Sequence, residues 1–408
     1  FIRNMRCWIC SQIGAREHYS IPRAIRQDGV LDRLVTDLWF SSPQRVLLKR
    51  CGTLGRRLAA RWHRELNSAN VSSFPFEGIR WATAARRKHG AQLYQFFAEQ
   101  GEWFGKQTAK FIRKAPPDSL FFSYDTGFLE AGETAAERGI PTIVCQMDPG
   151  RVEIDLVREE AAAWPGWEGE YHQALPPDAF HERRENEWTV ADRVMCNSEW
   201  TRTALIEQGL DAAKIVVVPL SFESPRTNWC RPEKPNDEPL EVLWLGSVIL
   251  RKGIQYLLEA CRQLLDENVR VTVVGSIGIT EKALKTAPSN VTFTGPKPRS
   301  EVVEVYRHAD VFVLPTISDG FAITQLEAMA FGLPVIATPN CGAVVSDGED
   351  GFIVPARDSK SLAARIGEFA NDRDLLRRMS GAAQQTADKF GIERLSRELS
   401  QLEKDLCG

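Results

Sequence analysis

The chain has 408 residues, of which 43% are hydrophobic and 26% are charged, with a formal net charge of −3 at pH 7. These fractions are typical of a globular protein and exclude the collagen-like and intrinsically disordered classes. The length predicts about two domains of ordinary size.

Neither a membrane-spanning run nor a secretory signal is visible in the sequence. No apolar stretch reaches the roughly 20 residues that cross a bilayer, and the N-terminal pattern of a signal peptide is missing. We therefore expect a cytoplasmic location, with peripheral attachment to the inner face of the membrane as a second expectation. The sequence begins with Phe1, so we expect that the natural start is absent or is Met5.

Nine cysteines are scattered along the chain, and Cys7 and Cys10 are the only close pair. On a strand, residues three apart point to opposite faces, so this pair does not suit a metal or redox site. We interpret the cysteines as buried thiols in a reducing compartment.

The first predicted unit is a strand over residues 6–10, a loop containing Gly14 and a helix over 21–27. This order is the opening of a Rossmann-like domain. The loop lacks the G-x-G-x-x-G pattern, so we do not expect a redox dinucleotide. We interpret His18 as a residue of the helix surface rather than as a catalyst.

Positive charge is concentrated at the start of the chain. Residues 1–114 carry 21 Lys and Arg against 8 Asp and Glu, a net charge of +13. Such a surface favours an anionic partner, and membrane phosphates or an acidic acceptor fit it as well as nucleic acid does. Of these, we do not expect nucleic acid as the partner. Between 44 and 66, basic and apolar residues indicate an amphipathic helix or helix pair, interrupted near Gly52 and Gly55. It is either a solvated face or, over 45–64, a surface that docks on an anionic membrane.

Two further buried strands are predicted over 118–124 and 141–146, with a helix over 131–138 between them. Catalytic groups of α/β folds gather where parallel strands end, so Gln146 and Asp148 are candidates. Asp148 is equally explained as a turn residue before a proline. A strand–helix–strand unit follows over 191–219, with Ser198 at the helix N-cap.

A second Rossmann-like unit begins with the apolar strand at 240–246. The loop over 247–252 contains Arg251 and Lys252 and leads into a helix over 253–265. Strands at 271–274 and 291–293 and a helix over 300–308 follow. A lysine between a strand and a helix suits a phosphate, although a loop lysine by itself is usually solvated.

Residues 309–338 are the most informative stretch. A buried strand at 311–314 leads to a turn at Asp319 and Gly320 and then to a helix that ends at Gly332. Seven residues separate Asp319 from Glu327. Both carboxylates can face a ligand at the helix N-terminus, where free backbone N–H groups favour a phosphate. The alternative is that Asp319 caps the helix and Glu327 is solvated.

This stretch resembles the E-x7-E motif of the retaining glycosyltransferases of family 4, which have the GT-B fold. Asp319 stands where that family has its first Glu, and Gly320-Phe321, Glu327-Ala328-Met329 and Gly332-Leu333-Pro334 add to the likeness. The resemblance implies two Rossmann-like α/β domains that face each other across a cleft. Residues 1–222 would form the acceptor side, 223–239 the linker and 240–390 the domain that binds the nucleotide sugar. The apolar stripe within 391–408 suits a final helix that crosses back to the first domain.

The implied reaction is hexosyl transfer from a UDP-, GDP- or ADP-hexose to a hydroxyl of a glycan or lipid-linked glycan. By resemblance it retains the anomeric configuration, uses no metal or cofactor, and serves cell-surface polysaccharide or glycolipid synthesis. The implied catalytic residues are Asp319, Lys252 and Asp148, and the implied acceptor-side residues are Gly14, Gln146 and Asp148. The implied donor-binding residues are Gly246, Ser247, Arg251, Lys252, Gly295, Pro296, Asp319, Gly320, Phe321, Ala322, Ile323 and Glu327.

The sequence departs from the family pattern at four places. Asp319 replaces the first Glu of the motif, and Ser247 stands where the family has an Arg. Gln146 and Asp148 stand where many members have a His, and residues 340–342 replace a common Gly-Gly-x-x-Glu. Two other functions therefore stay open. One is a GT-B isomerase that epimerises the nucleotide sugar itself, and the other is a non-catalytic GT-B binding protein.

Overall fold

The computed structural model describes residues 6–85, 88–169, 175–224, 235 and 237–407. Within them the chain forms two parallel sheets, each with helices on both faces. Both sheets are rich in fully buried apolar strands, as expected when helices cover the two faces of a parallel sheet.

The first sheet has seven strands in the order β3-β2-β1-β4-β5-β6-β7. They are β1 Cys7–Gln12, β2 Leu31–Thr36, β3 Val71–Ser73, β4 Ser119–Tyr124, β5 Thr142–Gln146, β6 Arg193–Cys196 and β7 Ile215–Val217. The helices of this half are α1 Ser20–Gln27, α2 Ser42–Lys49, α3 Gly52–Ala59, α4 Pro75–Ala84, α5 Ala91–Ile112, α6 Leu129–Glu137, α7 Arg151–Ala163, α8 Asp178–Val190 and α9 Glu199–Glu207.

The second sheet has six strands in the order β10-β9-β8-β11-β12-β13. They are β8 Leu240–Leu245, β9 Val269–Val274, β10 Val291–Gly295, β11 Val311–Leu314, β12 Val335–Ala337 and β13 Gly351–Ile353. Its helices are α10 Ile254–Gln263, α11 Glu281–Leu284, α12 Arg299–His308, α13 Ile323–Ala330, α14 Ser359–Asn371 and α15 Arg373–Asp388.

The last helix, α16 Ile392–Cys407, returns to the first sheet. Its buried leucines, Leu395, Leu399 and Leu402, share a hydrophobic cluster with residues of β1 and α1. Glu403 of this helix accepts a hydrogen bond from the indole N–H of Trp8 at 3.0 Å. The domain boundaries at 222, 239 and 390 stay a prediction, which this placement of strands and helices supports.

Local details of the predicted elements were partly right. Ser198 caps α9 by accepting a hydrogen bond from the Thr201 N–H at 3.1 Å, as predicted. The basic segment is a helix pair, but its break lies before Gly52, and Gly55 is inside α3. A Cβ on Gly55 would overlap the carbonyl oxygen of Leu48, so that glycine allows the two helices to pack closely.

The cysteines are not uniformly buried. Cys10 is buried, Cys7 is half-buried and Cys51 is exposed. The expectation of buried thiols is therefore wrong for Cys51, because it lies at the surface turn between α2 and α3. Among the described residues, no helix is long and apolar enough to cross a bilayer.

Candidate active site

The two domains meet where the strands of both sheets end. Glu153, at the start of α7, accepts hydrogen bonds from the Ser318 hydroxyl at 2.8 Å and from the Arg251 guanidinium at 3.3 Å. Gly320 lies so close to the Met147 carbonyl that a Cβ there would overlap the oxygen. The loop after β11 is therefore held directly against the loop after β5.

Lys252 and Asp319, predicted from separate motifs, form an ion pair at this contact. Lys252 ends a short 3-10 turn, and Gly253 follows with a φ of 79°. A Cβ on Gly253 would overlap the Pro315 carbonyl, so only glycine lets the chain return so close to β11. From the other side, the Asp319 N–H donates to the Asn340 carbonyl at 2.8 Å. Asn340, one of the departures from the family pattern, thus helps to position Asp319.

Arg251 is committed to contacts within the protein. Its guanidinium donates to the Ser318 carbonyl at 2.8 Å and pairs with Glu153. Burial raises the pKa of the Glu153 carboxyl, and the Arg251 charge opposes that effect. The structure therefore does not support Arg251 as a free cation for a donor diphosphate. Sequence reasoning missed Glu153, because its partners lie in the other domain.

Glu327 faces a separate part of the cleft, a cavity of about 570 Å³. Its carboxylate accepts a hydrogen bond from the Tyr306 hydroxyl at 2.9 Å. Burial raises the pKa of Tyr306, so the phenol stays a donor. The volume is in the range of small-molecule sites. Both domains and the segment between them contribute to the lining, with Ala15, Glu17, His18, Arg23, His63, Leu220, Ser221, Phe222, Glu223, Arg299 and Ile323.

The first-domain wall of this cavity contains an unusual turn. Glu17, His18 and Tyr19 have φ values of 48°, 52° and 62°, a left-handed conformation that L-residues seldom adopt in succession. The Glu17 carboxylate accepts a hydrogen bond from Tyr124 at 3.3 Å. His18 was predicted on a helix surface, which is wrong, because α1 begins only after this turn. Backbone strain of this kind is concentrated at functional sites in proteins.

Gly14 and Asp148 line another cavity, of about 730 Å³, in the first domain. Asp148 pairs with the Arg184 guanidinium at 2.7 Å. Burial raises the pKa of Asp148, but the Arg184 guanidinium outweighs that effect and holds the pKa below its ordinary value. Asp148 is therefore a weak base. Asp125, also paired with Arg184, has its pKa raised by burial.

Gln146 does not reach either cavity. Its side chain is fully buried, where it accepts a hydrogen bond from Trp188 at 2.7 Å and donates to the Asp148 carbonyl at 3.0 Å. The structure does not support the predicted contact of Gln146 with the acceptor, because the side chain instead supports the loop that carries Asp148.

Comparison with known proteins identifies the second domain. Residues 225–386 match the family described as glycosyl transferases group 1. A protein of Salmonella typhimurium named for colanic acid biosynthesis, glycosyltransferase WcaL, is 32% identical over 48% of this chain and 53% of its own length. The capsular polysaccharide biosynthesis glycosyltransferase CapM of Staphylococcus aureus is 30% identical over 39% of this chain and 44% of its length. The chain thus spans about half the length of these relatives.

Solved structures show the fold of the chain over nearly its whole length. Anabaena Alr3699/HepE, crystallised in complex with UDP, has a TM-score of 0.63 at 14% identity over 98% of this chain and 100% of that one. Sucrose-phosphate synthase of Thermosynechococcus elongatus has a TM-score of 0.62 at 19% identity, over 98% and 99% of the two chains. The predicted GT-B fold is therefore confirmed.

The other predicted donor-side residues of the glycosyltransferase domain differ in exposure. Phe321 and Ala322 are buried. The Phe321 ring packs against Phe390 at 6.2 Å, so donor contact by its side chain is not supported. Further residues lie where β8 and β10 end and keep their donor role as a prediction: Gly246, Ser247, Gly295 and Pro296. No group of three or more His, Cys, Asp or Glu that could hold a metal occurs in the described residues.

Proposed function

We propose that this protein is a retaining, metal-independent hexosyltransferase that uses a nucleotide diphosphate sugar and a hydroxyl acceptor. The observation that carries the proposal is the Lys252–Asp319 pair at the contact between the domains, where Gly320 meets the Met147 carbonyl. Asp148, after Met147, lines one cavity, and Glu327, in the helix after Asp319, lines another. A donor across the cavity lined by Glu327 and an acceptor in the cavity lined by Asp148 would meet at this pair.

The donor would be held by charge and hydrogen bonding. Lys252 and the first free N–H groups of α13 would neutralise the diphosphate as it leaves. The Glu327 carboxylate can accept two hydrogen bonds from ribose hydroxyls, and Asp319 would accept those of the sugar. The cavity lined by Glu327 thereby binds the nucleoside, and the Lys252–Asp319 pair binds the reacting sugar.

In the reaction, the bond from the sugar C1 to the diphosphate oxygen breaks and a bond from C1 to the acceptor oxygen forms. The acceptor hydroxyl loses its proton. Because the pKa of Asp148 is lowered, we assign that carboxylate to orienting the hydroxyl. The departing diphosphate oxygen is left as the proton acceptor.

The biological setting is proposed from the relatives. Several are named for the synthesis of cell-surface polysaccharides: colanic acid, capsular polysaccharide and amylovoran. Structural neighbours were crystallised with UDP and glucose, and one with UDP and a glycosylated glycerol. A UDP-, GDP- or ADP-hexose and a glycan or lipid-linked acceptor suit this protein.

The basic helix pair suggests where the acceptor is met. Val46 and Leu47 of α2 are 60% and 67% exposed, beside the exposed cations Lys49, Arg50 and Arg56. Apolar and basic side chains on one exposed surface suit anionic lipid. We therefore place the protein at a cytoplasmic membrane face, as a peripheral enzyme.

The test begins with thermal shifts in UDP, GDP and ADP, since a ligand that binds only the folded state raises its melting temperature. Radiolabelled hexoses of the stabilising nucleotide follow. We expect donor hydrolysis without acceptor and transfer with one. Epimerisation of the donor would support the isomerase instead, and binding without any turnover would support the non-catalytic protein.

A further inference from the structure

The cavity beside Gly14 and Asp148 has features of a charged-ligand site. Helices α3, α4 and α5 supply apolar and aromatic walls, and the turns after β1, β2, β4 and β5 supply polar groups. Its lining includes Leu54, Leu58, Trp81, Tyr94, Phe97 and Phe180. Such a combination, mostly apolar with few polar groups, is the usual composition of a ligand pocket.

The carboxylates of this cavity already have partners. Asp37 accepts a hydrogen bond from the Gly14 N–H at 2.8 Å. Asp125 and Asp148 share the Arg184 guanidinium, at 2.8 Å and 2.7 Å. Two of these carboxylates are therefore ion-paired, and Asp125 has Arg16 of the lining as a second cation at 3.6 Å. Asp37 has no cation partner among the described residues.

Two arginines of the lining are in a different situation. Within the described part of the chain, Arg57 and Arg61 form no ion pair, and their guanidinium groups donate no hydrogen bond. Arg57 lies in the last turn of α3, and Arg61 follows four residues later, just after the helix ends at Ala59. The Arg61 guanidinium lies against Gly14, with Nη1 2.7 Å from where a Cβ of that glycine would stand. Glycine here leaves room for the cation inside the cavity.

We propose that Arg57 and Arg61 bind a carboxylate or phosphate carried by the acceptor, so that this enzyme glycosylates an anionic glycan. The inference rests on the proposed function and deepens it, because it names the acceptor class. A guanidinium fork matches the two oxygens of a carboxylate or phosphate, and such charge-assisted hydrogen bonds are strong. The sugar of the acceptor packs against the aromatic wall, Trp81 and Phe97 included.

The position of the cavity fits an acceptor. Asp148, in its lining, follows Met147, whose carbonyl touches Gly320. Gly320 in turn follows Asp319 of the Lys252–Asp319 pair. An acceptor that fills this cavity therefore extends toward the reacting sugar, with its anionic group held by Arg57 and Arg61.

Calorimetry with three monosaccharide probes tests the proposal. Glucuronate carries a carboxylate, glucose 6-phosphate a phosphate, and glucose neither. We expect at least one charged probe to bind about tenfold or more tightly than glucose, and the R57Q/R61Q double variant to lose that preference. Tighter binding of glucuronate would indicate a uronic acid in the acceptor, and tighter binding of glucose 6-phosphate would indicate a sugar phosphate.

The matched control is R56Q. Arg56 shares the last turn of α3 with Arg57, so its loss has the same effect on the helix dipole, but it does not line the cavity. R56Q should keep the preference. Equal affinity for the three probes, binding of none of them, or a preference that survives in R57Q/R61Q would overturn the proposal.

Donor hydrolysis without acceptor is measured on the same preparations. Absence of hydrolysis in the wild-type protein contradicts the proposed function, whatever the probes do. Normal hydrolysis together with no charge preference contradicts only the anionic acceptor. The two failures are therefore distinguishable.

Discussion

At the scale of single residues, Lys252 has the simplest set of charged neighbours. Its ammonium group pairs with Asp319 and has no second carboxylate within ion-pair distance among the described residues. In the proposed reaction it also meets the leaving diphosphate. Its two partners, one in the protein and one in the donor, make its charge the critical property.

Lys252→Ala should therefore lower donor turnover by on the order of a hundredfold, the usual loss when one charge-stabilising group is removed. The fold should survive, since the side chain contributes little packing. Steady-state hydrolysis of the preferred donor measures this. Lys285→Ala, which removes an exposed lysine of the same domain that pairs with Glu281, should turn over normally. A normal rate in Lys252→Ala would refute the phosphate assignment.

Substitutions of Glu327 and of Asp319 should impair different steps. Glu327→Gln keeps the size of the side chain but loses the ionised acceptor, so nucleoside diphosphate affinity should fall by roughly 1–3 kcal/mol. Asp319→Asn should spare that affinity and impair transfer, because Asp319 is assigned to the sugar. Calorimetry with the free diphosphate decides this. Equal losses of affinity in both variants would contradict the division.

At the scale of elements, the helix pair α2–α3 has two chemically different surfaces. Arg57 of α3 and Arg61 just after it line the cavity beside Gly14 and Asp148, whereas Val46, Leu47, Lys49, Arg50 and Arg56 are exposed and do not line it. The pair was predicted as one basic surface. The structure divides it, because Arg57 and Arg61 contribute to the cavity and these other cations do not.

The exposed surface should bind vesicles that contain anionic lipid, and binding should fall as salt rises. Each cation near such a surface contributes about 1 kcal/mol at low salt. A variant with Lys49, Arg50 and Arg56 changed to Glu should lose sedimentation with vesicles and keep donor hydrolysis in solution. Exchanging Arg26, Arg113 and Lys114 for Glu is the charge-matched control. Wild-type protein left in the supernatant at low salt would show that the helix pair is only a solvated face.

At the scale of the whole molecule, one close contact between the backbones of the two domains depends on Gly320. A Cβ at this position would overlap the backbone carbonyl of Met147, which cannot rotate away as a side chain would. Gly320→Ala should thus hold the cleft open. The Lys252–Asp319 pair would then be separated from the acceptor side.

For Gly320→Ala we expect nucleotide affinity close to wild type, transfer reduced about tenfold or more because small misplacement of reacting groups is costly, and a larger radius of gyration by X-ray scattering. Gly381→Ala is the control. It lies in α15 with no atom within 4 Å of the added Cβ, and should be neutral or slightly stabilising. Unchanged transfer in Gly320→Ala would show that this contact is dispensable.

The sequence by itself determined the two-sheet architecture, and it singled out Lys252, Asp319 and Glu327, whose roles stay predictions. Buried apolar strands, glycine-terminated helices and the spacing of Asp319 and Glu327 are local properties, readable because nearby residues fix them. Lys252 was identified for the same reason, from the strand, loop and helix around it.

Only the tertiary structure decided which side chains are free to meet a ligand. Arg251 looked available in its loop, yet its guanidinium pairs with Glu153, about a hundred residues earlier in the chain. Gln146 follows a strand as an acceptor residue should, yet Trp188 and the Asp148 loop bury it. Arg57 and Arg61 looked like ordinary surface cations, yet both line a cavity in which Arg61 lies against Gly14. Ion pairs and burial join residues that are distant in sequence, so no local pattern reports them.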